Sequence, residues 1–202
     1  MLRAWVLAAV LVAPVVGPAP AFAQRLIGSG RLASVPVPVS LDTTGRFLAA
    51  FSRVGDDVFV AGQPTERGLR ELRDQGVTTV VNLRTPEEMK RVGFDEEKLA
   101  EQLGMRYVYL PVRGEPPYPY SPETVKKFAD AMARTKGKIL LHCTIAWRAS
   151  HLWAAYLIAE RGVPVDSALK NAGAINLMGH MAVGTQPVED FLGRRLPELD
   201  HK

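Results

Sequence analysis

The period of the apolar positions changes several times along the chain, and each change marks an element. Asp57 to Ala61 is a short apolar run that predicts a strand. Gln63-Pro64-Thr65 then opens a helix: Thr65 suits the N-cap, Leu69 and Leu72 fall on one face, and Gly76 follows the end. Val77 to Leu83 is β-branched and apolar enough to be a central strand of a parallel sheet. Pro86 to Gly104 reads as helical in its second half, and Met105 to Pro111 as a third strand. Ser121-Pro122 pairs an N-cap with an N1 proline and starts a helix running to about Thr135. Lys138-Ile139-Leu140-Leu141 predicts a buried strand. Trp147 to Arg161 carries Leu152, Ala155, Tyr156 and Ala159 at helical spacing and is closed by Gly162. A last helix covers about Asp166 to Ala172, beyond which the tail has no legible period. Alternating strands and helices predict an α/β fold, a mainly parallel central sheet flanked by helices and joined by right-handed crossovers.

The chain ends change this picture at one side. Met1-Leu2-Arg3 is a short positive region, Ala4 to Val16 is almost wholly apolar, and Ala21-Phe22-Ala23 is a small-x-small cleavage site. Residues 1–23 therefore read as a secretory signal peptide, and the mature protein is expected in the periplasm or outside the cell. Pro14, Pro18 and Pro20 break the apolar stretch, which is too short for a spanning helix. Residues 24–46 hold glycine, serine and alternating Pro-Val, an extended leader or linker, and the compact domain is placed at 47–202.

The formal net charge is +4, with both signs interleaved and no basic run, so nucleic acid is not an expected partner. A mild positive balance suits an anionic substrate. No later segment is long and apolar enough to span a bilayer. His151, His180 and His201 lack ligand spacing with other His, Cys or carboxylate residues, so neither a metal nor another cofactor is expected.

The chemistry concentrates in His142-Cys143-Thr144-Ile145-Ala146-Trp147-Arg148. Cys143 is the only cysteine, which excludes an intramolecular disulfide. It sits on a strand-to-helix turn, where free backbone N–H groups and the positive end of the helix dipole converge and favour a thiolate. Arg148 can curl its guanidinium back over the same pocket. A lone cysteine is ordinarily inert packing. Strand, His-Cys, short loop, arginine and helix together favour a nucleophile beside an oxyanion cradle.

With Val60-Ala61-Gly62-Gln63-Pro64, then Gly76-Val77-Thr78-Thr79-Val80-Val81-Asn82-Leu83-Arg84, then Leu141-His142-Cys143 and Arg148, the chain resembles the bacterial cysteine-dependent phosphatase-like family. This is the dual-specificity and tyrosine phosphatase fold in its beta-lactamase-hydrolase-associated branch, and the resemblance covers roughly residues 51–158. It implies hydrolysis of phosphate monoesters through a phosphocysteine intermediate, on a phosphorylated small molecule or a phosphoprotein. Cys143 and Arg148 are then catalytic, and Glu115 is the candidate general acid, being the only acid in the loop where the family places an aspartate. Glu115 read as a solvated loop glutamate is the alternative. His142, Thr144, Ile145, Ala146, Trp147 and Arg84 are the candidate substrate-binding residues. Of these, His142 tunes Cys143 or is simply buried. Trp147 packs and restricts access. Arg84 adds positive charge at the carboxyl ends of the strands or pairs with Glu87 or Glu88.

Three departures count against a plain phosphatase. Only four residues separate Cys143 from Arg148, where the main families have five. Ala146 stands where a glycine is expected, and Ala149 where a serine or threonine is. The alternatives are a rhodanese-like sulfurtransferase carrying a persulfide on Cys143, and a non-catalytic, anion-binding pseudophosphatase.

Overall fold

In the computed structural model, residues 35–177 and 185–197 are described. The signal-peptide reading of 1–23, and His180 and His201, lie outside them. In chain order the elements are β1 (Val39–Ser40), β2 (Phe51–Val54), β3 (Val58–Ala61), α1 (Glu66–Asp74), β4 (Val77–Asn82), α2 (Pro86–Met89), α3 (Glu96–Gln102), β5 (Arg106–Tyr109), α4 (Pro122–Arg134), β6 (Lys138–His142), α5 (Trp147–Arg161), α6 (Val165–Ala172) and α7 (Gln186–Leu192). Gly173–Leu177 continues α6 as a wider turn that is broken at Asn176.

The six strands form one sheet in the order β1-β2-β3-β6-β4-β5. β3, β6, β4 and β5 are mutually parallel, and β2 and β1 add an antiparallel edge. The parallel part is covered on both faces, which is why Val58, Phe59, Val60 and Ala61 are all buried in succession. Val60, Val81, Ile139 and Leu141 face the core shared with α4, α5, α6 and α7. Phe59, Val80 and Leu140 face the opposite core, with Leu69 and Leu72 of α1 and Leu99 and Ala100 of α3. The expected α/β architecture is therefore present.

Helix starts follow the local chemistry. Thr65 Oγ1 accepts from Gly68 N at 3.1 Å, and Ser121 Oγ accepts from Thr124 N at 3.3 Å. The Pro86 to Gly104 stretch is two helices, because Thr85 with Glu88 forms a capping box on α2 and Asp95 caps α3 separately. Along α5 every residue from Arg148 to Ile158 is buried. Such a helix is enclosed on all sides, so its apolar spacing marks no single face. No described helix is long and apolar enough to cross a membrane.

The register sets up the site. Ala61 and Asn82 both stand opposite His142, and Asn82 also stands opposite Tyr109, so four parallel strands end in one row. The residues that follow, Gly62-Gln63, Leu83-Arg84 and Cys143, are thereby delivered to the same carboxyl edge. β6 lies between β3 and β4, which places Cys143 at the interior of that edge, where open α/β sheets bind ligands.

Candidate active site

The chain leaves β6 anchored on both neighbours. Leu83 N donates to His142 O at 3.0 Å, Cys143 N to Ala61 O at 3.3 Å, and Gln63 N to Thr144 O at 3.0 Å. Gly62 is needed for this last approach, since a Cβ there would stand 2.8 Å from the Thr144 carbonyl oxygen. Ala146 then turns the chain into α5 with φ 69° and ψ −5°. It is the only non-glycine among the described residues with positive φ. The expectation that this position requires a glycine-like conformation holds, and an L-residue bears it at a cost of about 1–2 kcal/mol. The left-handed turn lets a loop of four residues join strand to helix and bring Arg148 over the site.

Arg148 is almost fully enclosed. Its Nη2 donates to Glu88 Oε1 at 2.6 Å and to Thr144 Oγ1 at 3.1 Å. Its Nη1 donates to Glu88 Oε2 at 2.9 Å and to the Val112 carbonyl at 2.8 Å. Thr144 Oγ1 in turn donates to Glu88 Oε1 at 2.8 Å. Burial works to raise the Glu88 pKa, but the Arg148 guanidinium, the Thr85 N–H and the Thr144 hydroxyl outweigh it and bring the carboxyl down to about 2. Glu88 is thus a carboxylate at neutral pH. Sequence reading missed it as a site residue. The Thr85-x-x-Glu88 capping pattern directly after Asn-Leu-Arg was the available signal.

A second polar network lies on the other face of the sheet. Alternation along β6 turns His142 away from Ile139 and Leu141 and toward α3. There its Nε2 meets Glu96 Oε1 at 2.8 Å, and both side chains have no solvent exposure. Gln63 Nε2 donates to Glu96 Oε2, and Arg84 Nη1 donates to Gln63 Oε1. Arg84 Nη2 donates to the Glu88 carbonyl at 2.9 Å, and Asn82 Oδ1 accepts from Arg84 N at 2.8 Å. Burial raises the Glu96 pKa, and the charge and hydrogen bond of His142 with the hydrogen bonds of Gln63 and Tyr107 more than reverse that. The Gln-Pro, Asn-Leu-Arg and His-Cys segments therefore meet as one buried cluster. Nothing in the local sequence singled out Glu96 among the charges of Glu96-Glu97-Lys98, because its burial is set by the β6–α3 packing.

The remaining sequence candidates are placed as follows. Thr144 and Ala146 lie within the loop between Cys143 and Arg148. Ile145 is exposed, and its carbonyl accepts from Asn176 Nδ2. Trp147 is half-buried against His151, with ring centroids 4.3 Å apart. Arg84 is buried and braces Gln63 and the α2 backbone; it bonds the carbonyl of Glu88 and not its carboxylate. Glu115 is exposed, 3.3 Å from Arg113, on the loop that leaves Val112. Tyr120 of the same loop rests on Phe191 of α7, with ring centroids 4.6 Å apart. Ala149 is fully buried, and the Ser150 hydroxyl donates to Trp147 O at 2.8 Å, so it is taken up inside its own helix.

A parallel sheet with a buried cysteine at its carboxyl edge, a left-handed turn and an arginine in the first turn of the next helix defines a cysteine-phosphatase-like protein. Residues 50–187 match the family described as DSP-PTPase phosphatase fused to NAD+ kinase, and the chain belongs to that family. A beta-lactamase hydrolase-like protein of Xylella fastidiosa (strain Temecula1 / ATCC 700964) is 29% identical over 158 residues, which are 73% of this chain and 36% of the relative. The chain thus spans about a third of the length of that curated relative. Among solved structures, a putative phosphatase (DUF442) from Shewanella putrefaciens CN-32 is 26% identical with a TM-score of 0.54, over 80% of this chain and 89% of the other. The fold is shared with TpbA of P. aeruginosa, solved as a cysteine-to-serine form in complex with pTyr, at 16% identity and a TM-score of 0.55, over 77% and 88% of the two chains.

Proposed function

We propose that the protein is an exported, cysteine-dependent phosphatase that hydrolyses phosphate monoesters of a small molecule or a phosphoprotein in the periplasm or outside the cell. The observation that carries this reading is that Cys143, just past the end of β6, and Arg148, in the first turn of α5, flank one four-residue loop at the carboxyl edge of the sheet and interact electrostatically. The Cys143 thiolate attacks phosphorus while Arg148 and the loop hold the oxyanion oxygens. The S–P bond forms as the P–O bond breaks, and the leaving oxygen takes a proton from Glu115. Water then attacks the phosphocysteine, gives a proton back to Glu115, and releases inorganic phosphate and the thiolate. Glu88 cannot be that acid, since Arg148 keeps it ionised. Glu115 is the exposed carboxyl on the loop after β5, in which the Val112 carbonyl accepts from Arg148.

A second reading is sulfur transfer through a persulfide on Cys143. It is favoured by the four-residue loop and by the engagement of Arg148, both of whose terminal nitrogens already serve Glu88, Val112 and Thr144. A bidentate phosphate contact has to displace one of these partners, whereas a single sulfur atom does not. Parallel assays of the purified protein against aryl phosphates and against thiosulfate with cyanide separate the two. Phosphatase turnover abolished by Cys143→Ser supports the first reading, and sulfur transfer alone supports the second. Oxyanion binding without either turnover makes the chain a pseudophosphatase.

A further inference from the structure

We propose that Glu96 is a positioning residue for Cys143: its buried carboxylate holds His142 as a doubly protonated imidazolium directly behind the catalytic loop. The purpose of this arrangement rests on the cysteine-nucleophile reading above, but the geometry and the test do not.

The direction of the hydrogen bonds carries the argument. Arg84 can only donate, so the atom of Gln63 facing Arg84 Nη1 is its oxygen, and the atom facing Glu96 is its NH₂. Likewise Arg84 N donates to Asn82 Oδ1, which leaves Asn82 Nδ2 to donate to the Tyr107 hydroxyl at 2.7 Å. The single Tyr107 proton is then free to go to Glu96, with which that hydroxyl is hydrogen-bonded. Two chains of donors begin at Arg84 and both end on Glu96. Glu96 therefore accepts from Gln63 and from Tyr107, and its contact with His142 is a third acceptance.

A carboxylate with no solvent exposure requires a counter-charge. Among the described residues, His142 is the one in direct contact that can supply it. The other ring nitrogen, Nδ1, lies 3.4 Å from the Cys143 carbonyl oxygen, which is also only an acceptor. Both nitrogens face acceptors, so both carry protons. At 3.4 Å the Nδ1 contact is long, and what it supplies is mainly positive charge against the Cys143 peptide. The positive end of the pair is adjacent to the nucleophile in sequence, and the negative end is one side chain further away on α3.

Several charged or titratable groups surround Cys143: Arg148 and Arg84 on the loop side, Tyr120 from the loop after β5, Glu88 paired with Arg148, and the His142–Glu96 pair behind. Glu96→Gln changes only the last of these. The test follows thiolate ultraviolet absorbance against pH in the full chain, with Cys143→Ser as the blank, since Cys143 is the only cysteine. This readout does not require a reagent to reach a buried sulfur. Glu96→Gln should raise the titration midpoint by about one pH unit, a tenfold loss of thiolate below it. A midpoint that is unchanged, or that falls because a nearby negative charge has been removed, overturns the proposal. Should the variant fail to fold, nitrogen-15 histidine spectra of the unsubstituted protein at neutral pH decide the matter. Two protonated ring nitrogens on His142 are expected, with assignment by loss of the signals in His142→Asn, and one unprotonated nitrogen overturns the proposal. Absence of phosphatase turnover alters neither readout.

Discussion

Arg148 and Glu88 meet as a bidentate pair, with 2.6 Å between Nη2 and Oε1 and 2.9 Å between Nη1 and Oε2, although sixty positions separate them in sequence. The same carboxylate accepts from Thr85 N at 2.9 Å to close the capping box of α2. One side chain thus ties the short helix after β4 to the first turn of α5, and it fixes which way the arginine points.

This pair makes stability depend on pH. The Glu88 carboxyl is held at about 2 in the folded protein against an ordinary 4.5, so it contributes stability above 4.5 that is lost as pH falls toward 2. Glu88→Gln should lower the denaturant midpoint at neutral pH and flatten its decline across that acid window. Parallel curves for the two proteins would show that the pair contributes nothing.

The left-handed residue offers an opposite change. Ala146→Gly removes the steric cost at φ 69° and should raise unfolding free energy by about 1 kcal/mol, the gain being partly offset by the greater backbone freedom of glycine when unfolded. Ala146→Val should destabilise by more than that and distort the loop, because a β-branched side chain tolerates positive φ least. Chemical denaturation of the three proteins gives the order, and equal stability of glycine and valine would contradict the strain argument.

Gly62 is the other backbone-limited position. In Gly62→Ala the new methyl meets the Thr144 carbonyl oxygen at 2.8 Å, so the Gln-Pro turn and the Cys143–Arg148 loop must separate. Turnover should fall at least tenfold while near-native helix content remains by circular dichroism. Full activity would mean that the approach of these two loops is incidental.

Glu115 separates the enzymes. General acids contribute about 10²–10⁴-fold, so Glu115→Gln should slow a phosphotyrosine-like ester by that order and an activated ester hardly at all. Sulfur transfer from thiosulfate expels sulfite, already an anion, and should be insensitive. Equal small effects on both esters would leave Glu115 as a loop carboxylate paired with Arg113.

Arg148 tests the oxyanion cradle. In Arg148→Lys one ammonium replaces a planar fork whose two terminal nitrogens grip Glu88, Val112 and Thr144. Substrate turnover should fall by more than about tenfold, and phosphate should inhibit less well. Rescue by the lysine to wild-type turnover would show that only charge matters there.

What local sequence determined is the set of elements whose signals lie within a few residues. Thr65, Ser121 and Gly162 mark helix ends by side-chain capping or positive φ, and Trp147 to Arg161 proved to be the helix its spacing predicted. The apolar strands at 77–82 and 138–142 were legible because both faces are buried. The place of the His-Cys loop was legible because an apolar strand and a helical period flank it. Even the awkward alanine at 146 could be read as a glycine-like position. The edge strands β1 and β2 and helix α7 were not legible. The two residues of β1 and the four of β2 are too few to show a period, and α7 holds its place through Val188 and Phe191 in a core assembled from distant segments. The partners of the site were decided by tertiary structure alone. In the sequence Glu88 stood out only as one possible partner of Arg84, and Glu96 not at all, because burial and ion pairing follow from strand order and not from neighbours in sequence. Only the insertion of β6 between β3 and β4 brings Gln63, Arg84 and His142 to one edge, where the low-dielectric interior obliges each charge to find its counterpart.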